Sequence, residues 1–448
     1  MKKVLISLFV FVLMIQGALA SNFNKSIKRF DIPKNSISIS FKELNTGKLK
    51  SELNSKMPVS PASTQKLLTY FPSLNILGED YNFSTKLYVT QNKDYYIVLG
   101  ADPYLTTDEL NLLVSKIKIK KWGELKNLYI DDTVLDNKTW GEGWQWDDDL
   151  NPYMPKFGAY NLDKNLYTLI VRPTKLSAPA EIFSDIFYPA TYINQTETSL
   201  DKTDLQFLRE YYITPDSITV KGNVSHEVKT LIPVSYLRKY FILRLDEAFR
   251  NAKISYYGKY PKAKLSANAT LVYEIKHPIA QATKDVLKNS NNMIAETVFK
   301  LAGGKYTNNT GTESSAMAMF NNYCQKNKID YTKIHITDGS GVSKNNLINA
   351  DFMTDYIISI NKIYGTEKLQ KMLPTAGEGT LEHRMFYLKD KLWAKTGTLS
   401  NISGITGILQ TKNGHYYAFA IYETDGNSKE TDKKMLEEFI IREAYNKY

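Results

Sequence analysis

Three short patterns carry side chains that could form and break an acyl bond. Ser63 and Lys66 stand in VSPASTQKLLTYF, Ser290 and Asn292 in KNSNNM, and Lys395, Thr396 and Gly397 in WAKTGT. A hydroxyl becomes a nucleophile when a base removes its proton, and residues three apart on a helix share a face, so Lys66 would lie over Ser63. A plain helix start explains the hydroxyl, with Ser63 or Thr64 as N-cap, but not the cation. A capping box prefers Glu or Gln at that position, and a positive charge in the first turn opposes the helix dipole by roughly 0.3–1 kcal/mol. The spacing alone decides nothing: S-x-x-K recurs at Ser115, Ser199 and Ser359, and S-x-N at Ser73, Ser266 and Ser343. K-T-G occurs once, and the order of all three patterns is what discriminates.

The chemistry sets a condition. A free lysine titrates near 10.4, so Lys66 can act as a base near neutrality only if burial and a neighbouring like charge, with Lys395 the candidate, disfavour its ammonium form. Lowering it by about three pH units asks for roughly 4 kcal/mol of differential interaction, attainable in a buried cleft. Competing chemistries find no support. Five histidines (226, 277, 335, 383, 415) include no H-E-x-x-H, and no G-x-S-x-G elbow occurs. The single cysteine, Cys324 in FNNYCQKN, reads as a core thiol. No metal or cofactor is expected.

The elements that must hold these residues can be read from periodicity. SISISFKELNTGKLKSEL alternates from Ser36 and turns at Asn45–Gly47, predicting a hairpin ahead of the Ser63 helix. From about Leu87 to Ala267 the chain is strand-rich and dense in Tyr and Asp, with one helical patch over Ser235–Asn251. Helical spacing then covers Ile279–Gly303 as one block, followed by 314–326 and 351–363. Strands return around K-T-G and in HYYAFAIYE, and an amphipathic helix ends the chain. Strands at both ends with helices between predict an α/β (α+β) domain made of residues 21–86 and 268–448, interrupted by a mainly β insertion, 87–267, with two subdomains.

Residues 1–20, MKKVLISLFVFVLMIQGALA, have the basic start, apolar stretch and small residues of a secretory leader cleaved after Ala20. No cysteine follows for a lipid anchor, and no later stretch is apolar for long enough to cross a bilayer, so an exported, periplasmic protein without a transmembrane anchor is expected. The net charge of +10, or +8 without Lys2 and Lys3, is scattered, as in KIKIKKW over Lys116–Trp122. That argues for a solvated face and not a nucleic-acid groove, and leaves peripheral electrostatic association with an anionic membrane or wall surface open. The sequence does not fix an oligomeric state.

S-x-x-K, S-x-N and K-T-G in this order form the set found in penicillin-binding proteins and β-lactamases. Ser63 and Ser290 are 227 residues apart, too far for a compact β-lactamase, and Ser290 and Lys395 are 105 apart. The chain resembles the class C low-molecular-mass penicillin-binding proteins, the D-alanyl-D-alanine carboxypeptidase/endopeptidase family of the penicillin-binding protein 4 type. PASTQKLLT, DGSGVSKNNL (Asp338–Leu347), LPTAGEGTLEHRM (Leu373–Met385), AKTGTLSNISGITG (Ala394–Gly407), LGADPYL (Leu99–Leu105) and GWQWDDDLNPY (Gly143–Tyr153) carry the likeness over nearly the whole chain past the leader. Ala101 replaces a usual Gly and Lys344 a usual Arg, neither in the three motifs.

The resemblance implies a serine hydrolase acting on the D-Ala-D-Ala end or a D-Ala cross-link of peptidoglycan stem peptides, and acylated by β-lactams. It implies that Lys66 takes the Ser63 proton, Ser290 relays a proton to the leaving amine and Asn292 holds the substrate backbone. Lys395, with Thr396 and Thr398, would hold the terminal carboxylate at the Gly397 strand, and the Ser63 and Thr398 N–H groups would form the oxyanion hole. Asp148, with Tyr153 and a wall from Trp146, would take the free amine of a diaminopimelate side chain. Ser340 reads as a turn residue. A β-lactamase and a catalytically silent wall-binding protein are the rival readings.

Overall fold

The computed structural model describes residues 23–118, 124–209 and 216–448; the leader through Ala20 and the end of the basic KIKIKKW run lie outside them. Two compact units divide the chain: one takes in residues up to Ile76, Ala282–Asn291 and Met317–Tyr448, the other Leu77–Gln281 and Asn292–Ala316. The expected insertion, 87–267, lies inside the second unit. Among the described residues no helix is long and apolar enough to cross a membrane.

The first unit is built on a five-stranded antiparallel sheet. Its strands are β1 (Ile37–Glu43), β2 (Leu49–Leu53), β13 (Leu392–Leu399), β14 (Ile402–Gln410) and β15 (Tyr416–Glu423), in the order β13-β14-β15-β1-β2. The alternation of β1 suggests one dry face and one wet face, yet both are covered. Ile37, Ile39 and Phe41 enter a core with Leu436, Ile440 and Ile441 of the C-terminal helix α10 (Glu430–Lys447). Ser40 and Lys42 point the other way, to α8 (Ala350–Tyr364), where Ser40 Oγ lies 3.0 Å from Thr354 Oγ1 and Lys42 pairs with Asp351 and Asp355. Polar residues on a strand are thus buried here because a helix supplies their partners.

The second unit holds a four-stranded sheet, β12-β3-β4-β5, and two three-stranded sheets, β8-β10-β9 and β11-β6-β7. These are strands β3 (Asn82–Val89), β4 (Asp94–Leu99), β5 (Asn127–Asp131), β6 (Leu166–Arg172), β7 (Glu181–Ser184), β8 (Thr191–Thr198), β9 (Gln206–Leu208), β10 (Ser217–Val224), β11 (Val228–Pro233) and β12 (Thr270–Pro278). Helix α4 (Leu237–Asn251) forms over the predicted helical patch. A further helix, α3 (Thr107–Ser115), interrupts the stretch read as strand-rich. It is capped by a reciprocal Thr106–Glu109 capping box, a T-x-x-E signal present in the sequence.

The helical block expected over Ile279–Gly303 is two helices, α5 (Ile279–Leu287) and α6 (Asn292–Thr307). The break falls at Ser290, whose φ of +62° no helix accommodates. A period count over 25 residues cannot see a single left-handed residue.

Candidate active site

Ser63 lies in a 3-10 turn, Ala62–Gln65, that runs directly into α2 (Lys66–Leu77). The N-cap is Pro61 and no side chain caps the turn, so the rival reading of a plain helix start with Ser63 or Thr64 as N-cap is not met. Thr64 Oγ1 instead donates to Pro61 O at 2.6 Å and meets Tyr422 Oη at 3.0 Å. Ala62, just before Ser63, has φ +46°, a left-handed conformation that costs about 1–3 kcal/mol and persists only where the surroundings over-determine it. They do so through Asp338. Its carboxylate accepts from Gln65 Nε2 (2.8 Å), Gly341 N (2.9 Å), Ser343 N (2.8 Å) and Asn346 Nδ2 (2.8 Å), which holds the DGSG turn against the Ser63 turn. A Cβ on Gly341 would sit 1.9 Å from Ala62 O, so only glycine allows this approach.

Lys66 is fully buried, and its Nζ donates to Ser63 Oγ at 2.9 Å and to Ser340 O at 2.8 Å. Ser340 thus has a part that reading it as a turn residue did not give: its backbone carbonyl fixes the amine over the hydroxyl. Lys395 Nζ donates to Ser290 Oγ at 2.8 Å and to Thr396 O at 2.8 Å. No ion pair among the described residues involves Lys395. Its ammonium form is held well below the ordinary lysine range, first by complete burial and then by the charge of Lys66. The repulsion is mutual. The Ser290 turn is fixed from outside by Lys288, whose carbonyl accepts from Thr380 N (3.1 Å) and whose Nζ pairs with Glu378 at 2.8 Å.

β13 is an edge strand, and this decides what K-T-G can do. Ala394 N donates outward to Pro374 O at 3.1 Å, so alternation turns the Thr396 and Thr398 N–H groups to the same outer edge, away from β14. Lys395 and Gly397 share a face of the strand. A Cβ on Gly397 would lie 2.9 Å from both Pro61 O and Ser63 N, so the strand backbone runs against the Ser63 N–H and no larger residue fits. Two backbone donors beside a hydroxyl and a buried amine are the parts of an acyl-transfer site.

The remaining expected residues belong to the second unit. Asn292 opens α6, and its Nδ2 donates to Tyr153 O at 2.9 Å. Trp146 and Tyr153 are exposed, 58% and 80%, and Asp148 is half-buried in a 3-10 turn, Trp146–Leu150. Its neighbour Asp149 is buried and ion-paired with Lys156 and with Arg209 Nη1, the latter at 2.5 Å. Nothing in the spacing of WQWDDD separates these acids; the difference is made by two cations 7 and 60 residues downstream. Cys324 is buried, its thiol pushed up to about 12 by burial, which makes it a poor nucleophile.

Residues 19–443 match the D-Ala-D-Ala carboxypeptidase 3 (S13) family. The chain belongs to this family. It is 25% identical over 456 aligned residues to the D-alanyl-D-alanine carboxypeptidase DacB of Haemophilus influenzae, with 95% of this chain and 94% of that protein covered. The crystal structure of penicillin binding protein 4 (dacB) from H. influenzae shares the fold with a TM-score of 0.83 and 21% identity, covering 95% of this chain and 99% of that one. A second structure of that protein, complexed with a β-lactam, matches with a TM-score of 0.79, 20% identity and the same coverage. This S13 chain is a serine-type D-Ala-D-Ala carboxypeptidase with a mixed α/β fold of the penicillin-binding type.

Proposed function

We propose that this enzyme is acylated at Ser63 by the penultimate D-alanine of peptidoglycan stem peptides. The observation that carries the reading is the pairing of two buried lysines with two serines, Lys66 with Ser63 at 2.9 Å and Lys395 with Ser290 at 2.8 Å. Lys66 accepts the Ser63 proton as Oγ attacks the carbonyl carbon, and the N–H groups of Ser63 and Thr398 receive the oxyanion. When the C–N bond breaks, Ser290 gives its proton to the departing D-alanine amine and takes the one held by Lys66, which returns to its neutral form. Water then attacks the ester, with Lys66 as base, and releases the shortened stem and free Ser63.

Lys395 supplies the C-terminal selectivity. A buried amine without a carboxylate partner, beside a second lysine, is the arrangement that an incoming carboxylate relieves, and Thr396 and Thr398 add hydroxyls at the same strand edge. Asn292 holds the substrate backbone. Within 87–267, Asp148 with Tyr153 and Trp146 takes the free amine of a diaminopimelate side chain. The site also takes β-lactams, as the H. influenzae relative does. The chain works outside the cytoplasm, in the periplasm, after cleavage behind Ala20; the basic start and apolar run of residues 1–20 support this.

The test is to incubate the protein, without its leader, with a fluorescent penicillin and map the labelled peptide by mass spectrometry. A slowly hydrolysed adduct on Ser63 is expected. A label on another residue overturns the assignment, and rapid turnover of the penicillin points to a β-lactamase.

A further inference from the structure

The second unit surrounds the start of α6 with buried polar side chains that a packed core would do without. Asn165 is fully buried, and its Nδ2 donates to Lys156 O (2.7 Å) and Asn161 Oδ1 (2.8 Å) and lies 3.3 Å from Met293 Sδ. Its Oδ1 accepts from Leu162 N at 2.9 Å. Asn161, also buried, bonds Thr297 Oγ1 (3.3 Å) one turn further along α6 and accepts from Gly158 N (3.0 Å). Both amides therefore tie the segment 156–165 to the first turns of the helix that begins with Asn292.

That segment is strained. Asp163, Lys164 and Asn165 have φ values of +50°, +56° and +59°, three consecutive left-handed residues of which none is glycine. Each costs about 1–3 kcal/mol and is retained only where its surroundings over-determine it. Behind it, Asp149 pairs with Lys156 and Arg209, three buried charges that leave a net positive one. Such a cluster adds little net stability, because desolvation offsets the attraction. What it does fix is the chain between Asp149 and Lys156. Asn151 N donates to Asp148 O (2.9 Å), Tyr153 N to Asn151 Oδ1 (3.0 Å) and Met154 N to Asn151 O (2.9 Å), leaving Tyr153 O to accept from Asn292 Nδ2. An amide whose nitrogen is held this way must turn its oxygen elsewhere.

We propose that Asn165, backed by Asn161 and the Asp149–Lys156–Arg209 cluster, is a positioning residue that fixes which way the Asn292 carboxamide points. The proposal rests on the reading of Asn292 as a substrate-holding residue, and it assigns buried groups of the second unit a part in the acylation step. Misplacing a holding group by about 1 Å costs up to a hundredfold in rate. Asn165→Asp keeps the shape and the left-handed preference but removes both N–H donors.

The experiment measures the second-order rate of Ser63 acylation by a fluorescent penicillin. Wild type, Asn165→Asp, Asn292→Asp and the double variant are compared well below each protein's melting temperature and normalised to folded protein. Asn165→Asp is expected to be acylated about tenfold to a hundredfold more slowly. The double variant is expected to be no slower than the slower single, because both changes disturb one carboxamide. Losses that multiply, or a wild-type rate for folded Asn165→Asp, overturn the proposal and leave the reading of Asn292 intact. A wild-type rate for Asn292→Asp overturns that reading and the proposal with it. If Asn165→Asp does not fold, Asp149→Asn takes its place under the same criteria.

Discussion

Replacing Glu423 with glutamine should make the protein more stable, and increasingly so as pH rises. Glu423 ends β15 fully buried, and its carboxyl has no hydrogen-bond partner among the described residues other than the Glu437 side chain. Glu437 of α10 is buried beside it but better served, by Ser403 Oγ at 2.7 Å and Arg384 Nη2 at 2.9 Å. Burial first, and the charge of Glu437 second, push the Glu423 carboxyl well above its ordinary 4.5. The proton sits on Glu423 because the partners of Glu437 favour an anion there. The remaining charges facing the pair are Lys433 and Lys434 on α10 and Arg384, with Glu438 beyond it. A raised carboxyl contributes stability fully present below 4.5 and lost as pH climbs toward the folded-state value, since the unfolded chain ionises first. Each pH unit in that window costs about 1.4 kcal/mol, so about 4 kcal/mol is the upper bound at pH 7.5. An amide has no such loss but leaves one group imperfectly paired, at about 1 kcal/mol. The net gain near pH 7.5 is then at most about 3 kcal/mol, or up to about 10 °C for a folding unit of this size. Differential scanning fluorimetry of wild type and Glu423→Gln from pH 5 to 8.5 should give curves that meet or cross near pH 5 and diverge above it. Parallel curves would refute the assignment of a proton to Glu423.

Gly397→Ala should slow penicillin acylation of Ser63 about tenfold to a hundredfold, since its Cβ meets Pro61 O and Ser63 N at 2.9 Å and backbone on both sides must yield; an unchanged rate in stopped-flow acylation means that β13 does not set the site. Lys395→Ala should lose about tenfold to a hundredfold more rate on a free D-Ala-D-Ala peptide than on its C-terminal amide, the value of a buried charge-assisted contact. Equal losses would mean that Lys395 acts chiefly through its charge on Lys66. Asp148→Asn should lose more rate on stem peptides with a free diaminopimelate amine than on N-acetylated ones, measured by chromatography of released D-alanine; a uniform loss assigns Asp148 a structural role.

The Ser63–Lys66 contact and the K-T-G strand were legible because acyl-transfer chemistry would demand particular atoms at short sequence spacing. Ser63 and Lys66 can lie over one another only on a helical turn, and an edge strand carrying Lys, a hydroxyl and Gly is scarce enough to read from order alone. Helices α8 and α10 were legible for a different reason: both carry a period of 3.6 over four turns or more. What was not legible depends on partners far away in the chain. Asp148 and Asp149 are adjacent and chemically equal until Lys156 and Arg209 choose one of them for burial. Ser290 interrupts a helical pattern that periodicity extends through it, because a single residue at φ +62° leaves no trace in a pattern averaged over its neighbours.

Glu423 is hidden from the sequence in the same way. In HYYAFAIYE it looks like the polar end of a strand. The sheet places it in one row with Ser403 and Thr398, the proposed oxyanion donor, so the acid lies two strands behind the substrate edge. A carboxyl buried there beside Glu437 lowers stability at every pH above its unfolded value, and Ala62 and Asn165 add backbone strain close to motif residues. All three are positions where the stablest local choice was not made: Ala62 precedes Ser63 in the chain, Asn165 touches Met293 beside Asn292, and Glu423 shares a register row with Thr398. If Glu423→Gln is more stable and acylates as fast as wild type, the first of these costs has no bearing on the reaction. If the gain in stability comes with slower acylation, the row from Glu423 to Thr398 belongs to the machinery that holds the strand edge.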